Sequence, residues 1–224
     1  MTQMALPLRL ADHAVFESYL SAGNETLVAT LVELADGQGD QGCWIWGPAS
    51  TGKTHLLQAT SERAGDRSVY VPLGSMAGVT PGILEGLASR DLICLDDIDA
   101  VAGSASWEEA LFSLCNEALD SGSALLVSAG MSPRECPIAL PDLQSRLARL
   151  APFQIYALND EQRVAALQLR ARHRGLELPD DTAHFLLNRS RRDMASLYEL
   201  LDKLDLEALR AKRRLTIPFV KEVL

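Results

Sequence analysis

The sequence predicts an α/β protein, a doubly wound parallel sheet of five strands followed by a small all-helical lid. Three observations carry that reading. The stretch Gly47-Pro48-Ala49-Ser50-Thr51-Gly52-Lys53-Thr54 is a complete G-x-x-x-x-G-K-[ST] phosphate-binding loop. It lies between an apolar run of strand formers and a stretch suited to a helix start, which is the setting the motif needs. Short apolar strand candidates then alternate with helical patterns as far as residue 157, the order that builds a parallel sheet with helices on both faces. From residue 158 the strand pattern stops and only helical periodicity remains.

The elements follow in order. Residues 1–12 read as an extended tail, because Pro7 lacks an N–H and biases Leu6 toward extended backbone. Residues 13–157 form the first domain. Asn24 stands at a cap position ahead of Leu27, Val28, Leu31, Val32 and Leu34, which share a helical face. The loop 37–40 leads into a first strand at 43–46, and a second strand is expected at 68–71. A helix is expected after Pro81, in a segment rich in Gly and Leu. Residues 92–95 are continuously apolar, as in a buried parallel strand, and end in Asp96-Asp97. An amphipathic helix is expected over 107–119, with Leu111, Leu114, Cys115 and Ala118 on one side. Strands four and five are expected at 124–128 and 153–156. In the lid, 158–224, Asn159 caps a helix that Gly175 stops. A second helix spans about 181–188. A third spans about 193–211, with Met194, Leu197, Tyr198, Leu201 and Leu204 in one stripe. Thr216-Ile217-Pro218 opens a last turn.

Composition narrows the function classes. Apolar residues make up 47% of the 224, enough for a packed core. No apolar run approaches the length of a membrane span, and Arg9 and Asp12 interrupt any signal-peptide layout, so a cytoplasmic protein without a membrane partner is expected. The four cysteines, Cys43, Cys94, Cys115 and Cys136, are widely spaced and form no C-x-x-C pair, which points to neither a zinc site nor a disulfide framework. A net charge of −9 argues against a large DNA-binding face. The charge is uneven. Residues 158–224 hold 13 Lys and Arg against 11 Asp and Glu, a net +2, while residues 1–157 hold 8 against 19, a net −11.

The loop chemistry assigns roles. Gly47 and Gly52 let the backbone approach phosphates, and the amides of Pro48's successors Ala49, Ser50 and Thr51, with the following helix N-terminus, favour negative charge. Pro48 shapes the loop, and His55 follows it on the helix. Lys53 is a point charge for the β- and γ-phosphates, and the Thr54 hydroxyl is a ligand for Mg²⁺. Asp96 and Asp97, at the C-terminal end of a parallel strand, fall on the ligand edge beside the loop. Asp96 is the second candidate Mg²⁺ ligand, and Asp97 would orient or deprotonate an attacking water. Asp99 reads as structural.

A phosphate loop, an Asp96-Asp97 box and a helical lid together resemble the AAA+ ATPases, in the initiator branch typified by the bacterial replication initiator DnaA. The most specific stretches are 47–57, 140–147, 192–205 and 215–224. In DnaA a helix-turn-helix domain follows the lid, and its lack here resembles the regulatory members of the branch. The resemblance gives two arginines roles. Arg146, in Ser-Arg-Leu, matches the arginine finger that acts on nucleotide in a neighbouring subunit, and Leu143 and Leu147 on one helical face would leave it near that face's edge. Arg192, in Arg-Arg-Asp-Met, matches the lid arginine called sensor 2, which contacts the phosphates in cis. Arg149 and Arg191 read as solvated charges. Gln3-Met4-Ala5-Leu6-Pro7-Leu8 resembles the motif that binds the replicative sliding clamp, with Gln3 anchoring by hydrogen bonds and Met4, Leu6, Pro7 and Leu8 as apolar contacts. One position departs from the pattern. The residue aligned with the polar sensor 1 is Gly130, which has no side chain to place water.

The resemblance therefore implies a negative regulator of chromosomal replication initiation. It would hold ADP or ATP with Mg²⁺, with ADP the active-state ligand, dock on the sliding clamp, and meet DNA only through that clamp. Arg146 would stimulate ATP hydrolysis by DnaA, intrinsic hydrolysis would be weak at most, and homo-oligomers remain compatible. Two alternatives stay open, an autonomous weak AAA+ ATPase and a DnaA-like adaptor or loader that binds replication proteins without stimulating hydrolysis.

Overall fold

The computed structural model describes residues 14–39, 42–76 and 78–224. Five parallel strands, β1 (Gly42–Trp46), β2 (Ser68–Pro72), β3 (Leu92–Asp96), β4 (Ala124–Ala129) and β5 (Ala151–Gln154), form one sheet in the order β2-β3-β4-β1-β5. The first strand in sequence is thus central, with Cys43 paired to Leu126 on one side and Ala151 on the other. Alternation within β1 divides the core. Cys43 and Ile45 face helices α1 (Glu25–Ala35) and α2 (Lys53–Ala64), packing on Leu27, Leu31, Leu56 and Leu57. Trp44 points to the other face, where α3 (Ala105–Ser121) and α4 (Pro141–Leu147) contribute Leu111, Leu114, Leu143 and Leu147. Covered on both faces, β3 is buried at all five positions, as its continuous apolar run requires.

The lid consists of α5 (Asp160–His173), α6 (Asp180–Arg189), α7 (Met194–Ala211) and α8 (Ile217–Val223). It has a core of its own, in which Val164, Leu167, Leu186, Leu197, Leu201 and Phe219 meet. Asn159 closes a full capping box on α5. Its side chain accepts from the Gln162 amide at 2.8 Å, and the Gln162 side chain accepts from the Asn159 amide at 2.9 Å. Among the described residues no helix is long and apolar enough to cross a membrane.

Several expectations need correction. The segment after Pro81 is not an α-helix but two short 3-10 turns, Pro81–Leu84 and Leu87–Ser89, separated by Gly86 in a left-handed conformation (φ 75°) that an α-helix cannot hold. Strand β5 lies two residues earlier than expected, and Tyr156 is outside it and 63% exposed. Pro152 fits within it because β5 is an edge strand with one neighbour. Asn24 does stand at the start of α1, but its side chain does not cap the helix; it is buried and donates to Tyr19 Oη at 3.5 Å.

Candidate functional site

At the end of β1 the chain turns through residues 47–52 and enters α2. Two glycines make the turn possible. A Cβ on Gly47 would stand 2.4 Å from the Ile155 carbonyl oxygen, and Gly52 holds φ 94° with a would-be Cβ 2.7 Å from the Tyr19 ring. Lys53, buried at the first position of α2, folds back over the loop and donates to the Gly47 and Pro48 carbonyls at 2.9 and 3.0 Å. Its ammonium is thereby fixed inside the loop curve. Thr51 Oγ1 donates to the Pro48 carbonyl at 2.9 Å and tightens the same turn.

The acidic pair at the end of β3 splits by direction. Asp96 points into the sheet edge and is 2% exposed; Tyr70 Oη donates to it at 2.8 Å, and Ser128 Oγ donates to its other oxygen. Ser128 also accepts from the Asp97 amide at 2.9 Å, which ties β3 to β4. Asp97 adopts a left-handed conformation (φ 55°), a setting that Asp tolerates better than most residues. Asp97, and not Asp96, borders the cavity described next. Burial, then the charges of Asp96 and Asp99, raise the Asp97 carboxyl above its ordinary value, against the pull of Lys53.

Lys53 and Asp97 border a cavity of about 560 Å³ between the loop and the lid, within the size range of small-molecule sites. Ala49, Ser50, Thr51, Gly52, Lys53 and Thr54 form one wall. Asp97, Asp99 and Gly130 form the strand-end wall. There the Gly130 amide donates to Asp99 Oδ2 at 3.2 Å, and a Cβ on Gly130 would come 3.1 Å from that oxygen. Asp99, read as structural from the sequence, holds this contact and also borders the cavity. The lid and the N-terminal segment close the third side with Tyr19, Leu158, Arg170, Met194 and Tyr198. His55 sits between, its Nε2 donating to the Val15 carbonyl at 2.9 Å and its ring 5.6 Å from that of Tyr19. Burial lowers its pKa, so it is neutral at neutral pH.

The cavity suits a phosphorylated ligand with a hard cation. Exposed loop amides, a helix N-terminus and Lys53 face it, and Thr54, Asp97 and Asp99 offer the oxygen donors that Mg²⁺ prefers. Asp96 does not border it, its oxygens being engaged by Tyr70 and Ser128. Gly47 and Pro48 serve as acceptors for Lys53 behind the lining.

The two arginines taken from the resemblance lie elsewhere. Arg192 is 61% exposed at the lid surface and pairs with Asp160 at 3.0 Å, outside the cavity lining. Arg146, on α4, is half-buried; its stem lies in a crevice beside Cys115, Leu119 and Leu150, and it has no ion pair or hydrogen bond among the described residues. Residues 3–8, the expected clamp-binding motif, lie outside the described residues. The lid residues Arg170, Met194 and Tyr198, and Tyr19, carried no sequence signal for this site. Tyr198 and Met194 read as core stripe, and only the packing of α5 and α7 turns their edges toward the loop.

Comparison with known proteins places these features. Residues 160–224 match the family of the Hda lid domain. Over 95% of this chain and 96% of the other, the fold superposes on domain III of the replication initiation protein DnaA from Thermotoga maritima, with a TM-score of 0.78 and 19% identity. AMPPCP-bound DnaA from Aquifex aeolicus gives a TM-score of 0.69 at 20% identity, covering 90% of this chain and 68% of that one. A RuvB variant from Thermotoga maritima gives 0.67 at 18% identity, covering 92% and 70%. The chain thus shares the fold of DnaA domain III, and its residues 160–224 match the Hda lid-domain family.

Proposed function

We propose that this protein is a negative regulator of replication initiation that binds ADP, docks on the sliding clamp and stimulates ATP hydrolysis by DnaA. The supporting observation is the placement of Arg146. It does not border the protein's own cavity, so it cannot serve a nucleotide held there, and α4 presents it without an ion pair among the described residues. A guanidinium held so can reach a nucleotide on another subunit. There its planar fork would stabilise charge developing on the transferring phosphoryl, an effect of roughly 10³–10⁵ in rate for related fingers. Nucleotide binding in cis is supported by the loop geometry and by the AMPPCP seen in a DnaA of the same fold. Lys53 would hold the phosphates, and Thr54, with Asp97 or with Asp96 through water, would hold Mg²⁺, which supplies charge neutralisation when bound. Arg192 would join as the lid cation if its pair with Asp160 opens. Gln3, Met4, Leu6, Pro7 and Leu8 would carry the clamp contact, and DNA would be met only through the clamp.

The test is turnover of DnaA-bound ATP with this protein and DNA-loaded clamp present, each omitted in turn. Stimulation that requires both this protein and the DNA-loaded clamp supports the reading; stimulation that survives Arg146→Ala overturns it in favour of an adaptor. The autonomous-ATPase alternative draws on Asp97 and Asp99 at the cavity, and is measured by turnover of the isolated chain.

A further inference from the structure

Two cationic side chains border the cavity, Lys53 and Arg170, and they stand in different surroundings. Lys53 lies among the loop carbonyls and acts on Asp97, which marks the phosphate end. Arg170, on α5, lies among aromatic and apolar groups. Its guanidinium carbon is 4.2 Å from the centroid of the Tyr198 ring, and its charge is felt at His55. Met194, Leu158 and Ala166 continue the same wall. The side chain is 19% exposed, with Nη2 3.9 Å from Asp202 Oδ1. Asp202 itself is held more closely by Arg174 at 2.7 Å. The guanidinium is therefore stacked and oriented while bordering an otherwise apolar end of the cavity.

We infer that Arg170 is the lid's ligand-reading group, contacting the nucleoside of a bound nucleotide, with Tyr198 as the platform that fixes its plane. This rests on the reading of the cavity as a nucleotide site. The chemistry fits that end. A flat, pre-oriented guanidinium presents parallel N–H donors to ring nitrogens, base carbonyls or ribose hydroxyls, and stacking on Tyr198 removes much of the freedom it would lose on binding. An ammonium on a flexible stem supplies neither the plane nor the fork. Arg192, tied to Asp160 at the exposed lid surface, does not occupy this position.

The experiment uses the full chain and displacement of a fluorescent ADP analogue by ADP and by pyrophosphate, for Arg170→Ala, Arg170→Lys and Lys53→Ala. Arg170→Ala and Arg170→Lys should each weaken ADP about tenfold and leave pyrophosphate displacement unchanged, whereas Lys53→Ala should weaken both. Arg170→Lys keeps a positive charge near Asp202, so its melting temperature should stay near the parent's and loss of folding cannot explain its defect. Equal weakening of ADP and pyrophosphate by the Arg170 variants would make Arg170 a phosphate contact and overturn the inference. Parental ADP affinity in Arg170→Lys would overturn it as well, reducing Arg170 to a structural partner of Asp202. Parental affinity for both ligands in Lys53→Ala would instead remove the nucleotide reading itself.

Discussion

Single side chains here do separable jobs, and their loss should separate too. Lys53→Ala removes the one ammonium held inside the loop. A charge-assisted hydrogen bond is worth about 1.5–3 kcal/mol, so ADP affinity should drop about ten- to a hundredfold by calorimetry. Arg146→Ala should leave ADP affinity at the parental value, since the residue does not border the cavity. Its stem packs beside Leu119 and Leu150, so the variant should lose about 1 kcal/mol in chemical denaturation. If Arg146 is the proposed finger, its loss should lower the stimulated turnover of DnaA-bound ATP by orders of magnitude, because such a charge is felt mainly in the transition state. Of these two residues, Lys53 could be read from the residues themselves, since the phosphate loop fixes its neighbours within eight positions. The role proposed for Arg146 comes from the resemblance alone. Asp99, Arg170 and Tyr198 were not legible at all, because what brings them to the cavity is the docking of α5 and α7 and the turn after β3, which no local pattern encodes.

At the scale of elements, one buried carboxylate joins two of them. Glu108, in the first turn of α3 and 2% exposed, accepts from the amides of Gly103 at 2.7 Å, Ala139 at 2.9 Å and Leu140 at 2.7 Å. It thereby pins the segment that enters α4, and with it the base from which Arg146 projects. Burial opposes its charge, but the three amides outweigh burial and hold the carboxyl below its ordinary range. A depressed carboxyl contributes stability that is complete above its unfolded value and is lost as pH falls through the folded one. Thermal midpoints should therefore drop on acidification below about pH 4.3, and Glu108→Gln should flatten that slope. Glu108→Ala would leave the amides of Gly103, Ala139 and Leu140 without their acceptor, and should cost about 1–3 kcal/mol in denaturant titration. Nothing in the sequence marked Glu108, since a Glu in a first helical turn is ordinary and two of its partners, Ala139 and Leu140, lie in a distant segment of the chain. The lid shows the opposite case. Asn159 was read as a cap from the sequence, the structure adds its reciprocal bond with Gln162, and Asn159→Ala should cost about 1 kcal/mol.

For the whole molecule, the clamp reading predicts independence of tail and body. Replacing Gln3, Leu6 and Leu8 together by Ala should abolish capture by immobilised clamp while the melting temperature moves by no more than a degree or two; a larger drop would mean that the tail serves the fold. The four cysteines share another behaviour. All are buried, and burial pushes Cys43 and Cys115 up to about 12 and Cys136 to about 11, so the folded protein should resist a thiol reagent at pH 8 and titrate fully in denaturant. That resistance exposes a consequence of the strand order during synthesis. The central strand β1 is made early, yet both its neighbours, β4 and β5, are made late. At elongation rates of about 5–20 residues per second its apolar edge waits about 5–15 s for β4 to be translated, and longer for β5. In a variant that keeps only Cys43, stalled nascent chains should therefore stay open to the reagent until residue 129 has cleared the ribosome, and then close abruptly. The emerging chain thus carries an unpaired sheet centre until β4 is made, a window in which chaperone capture competes with folding.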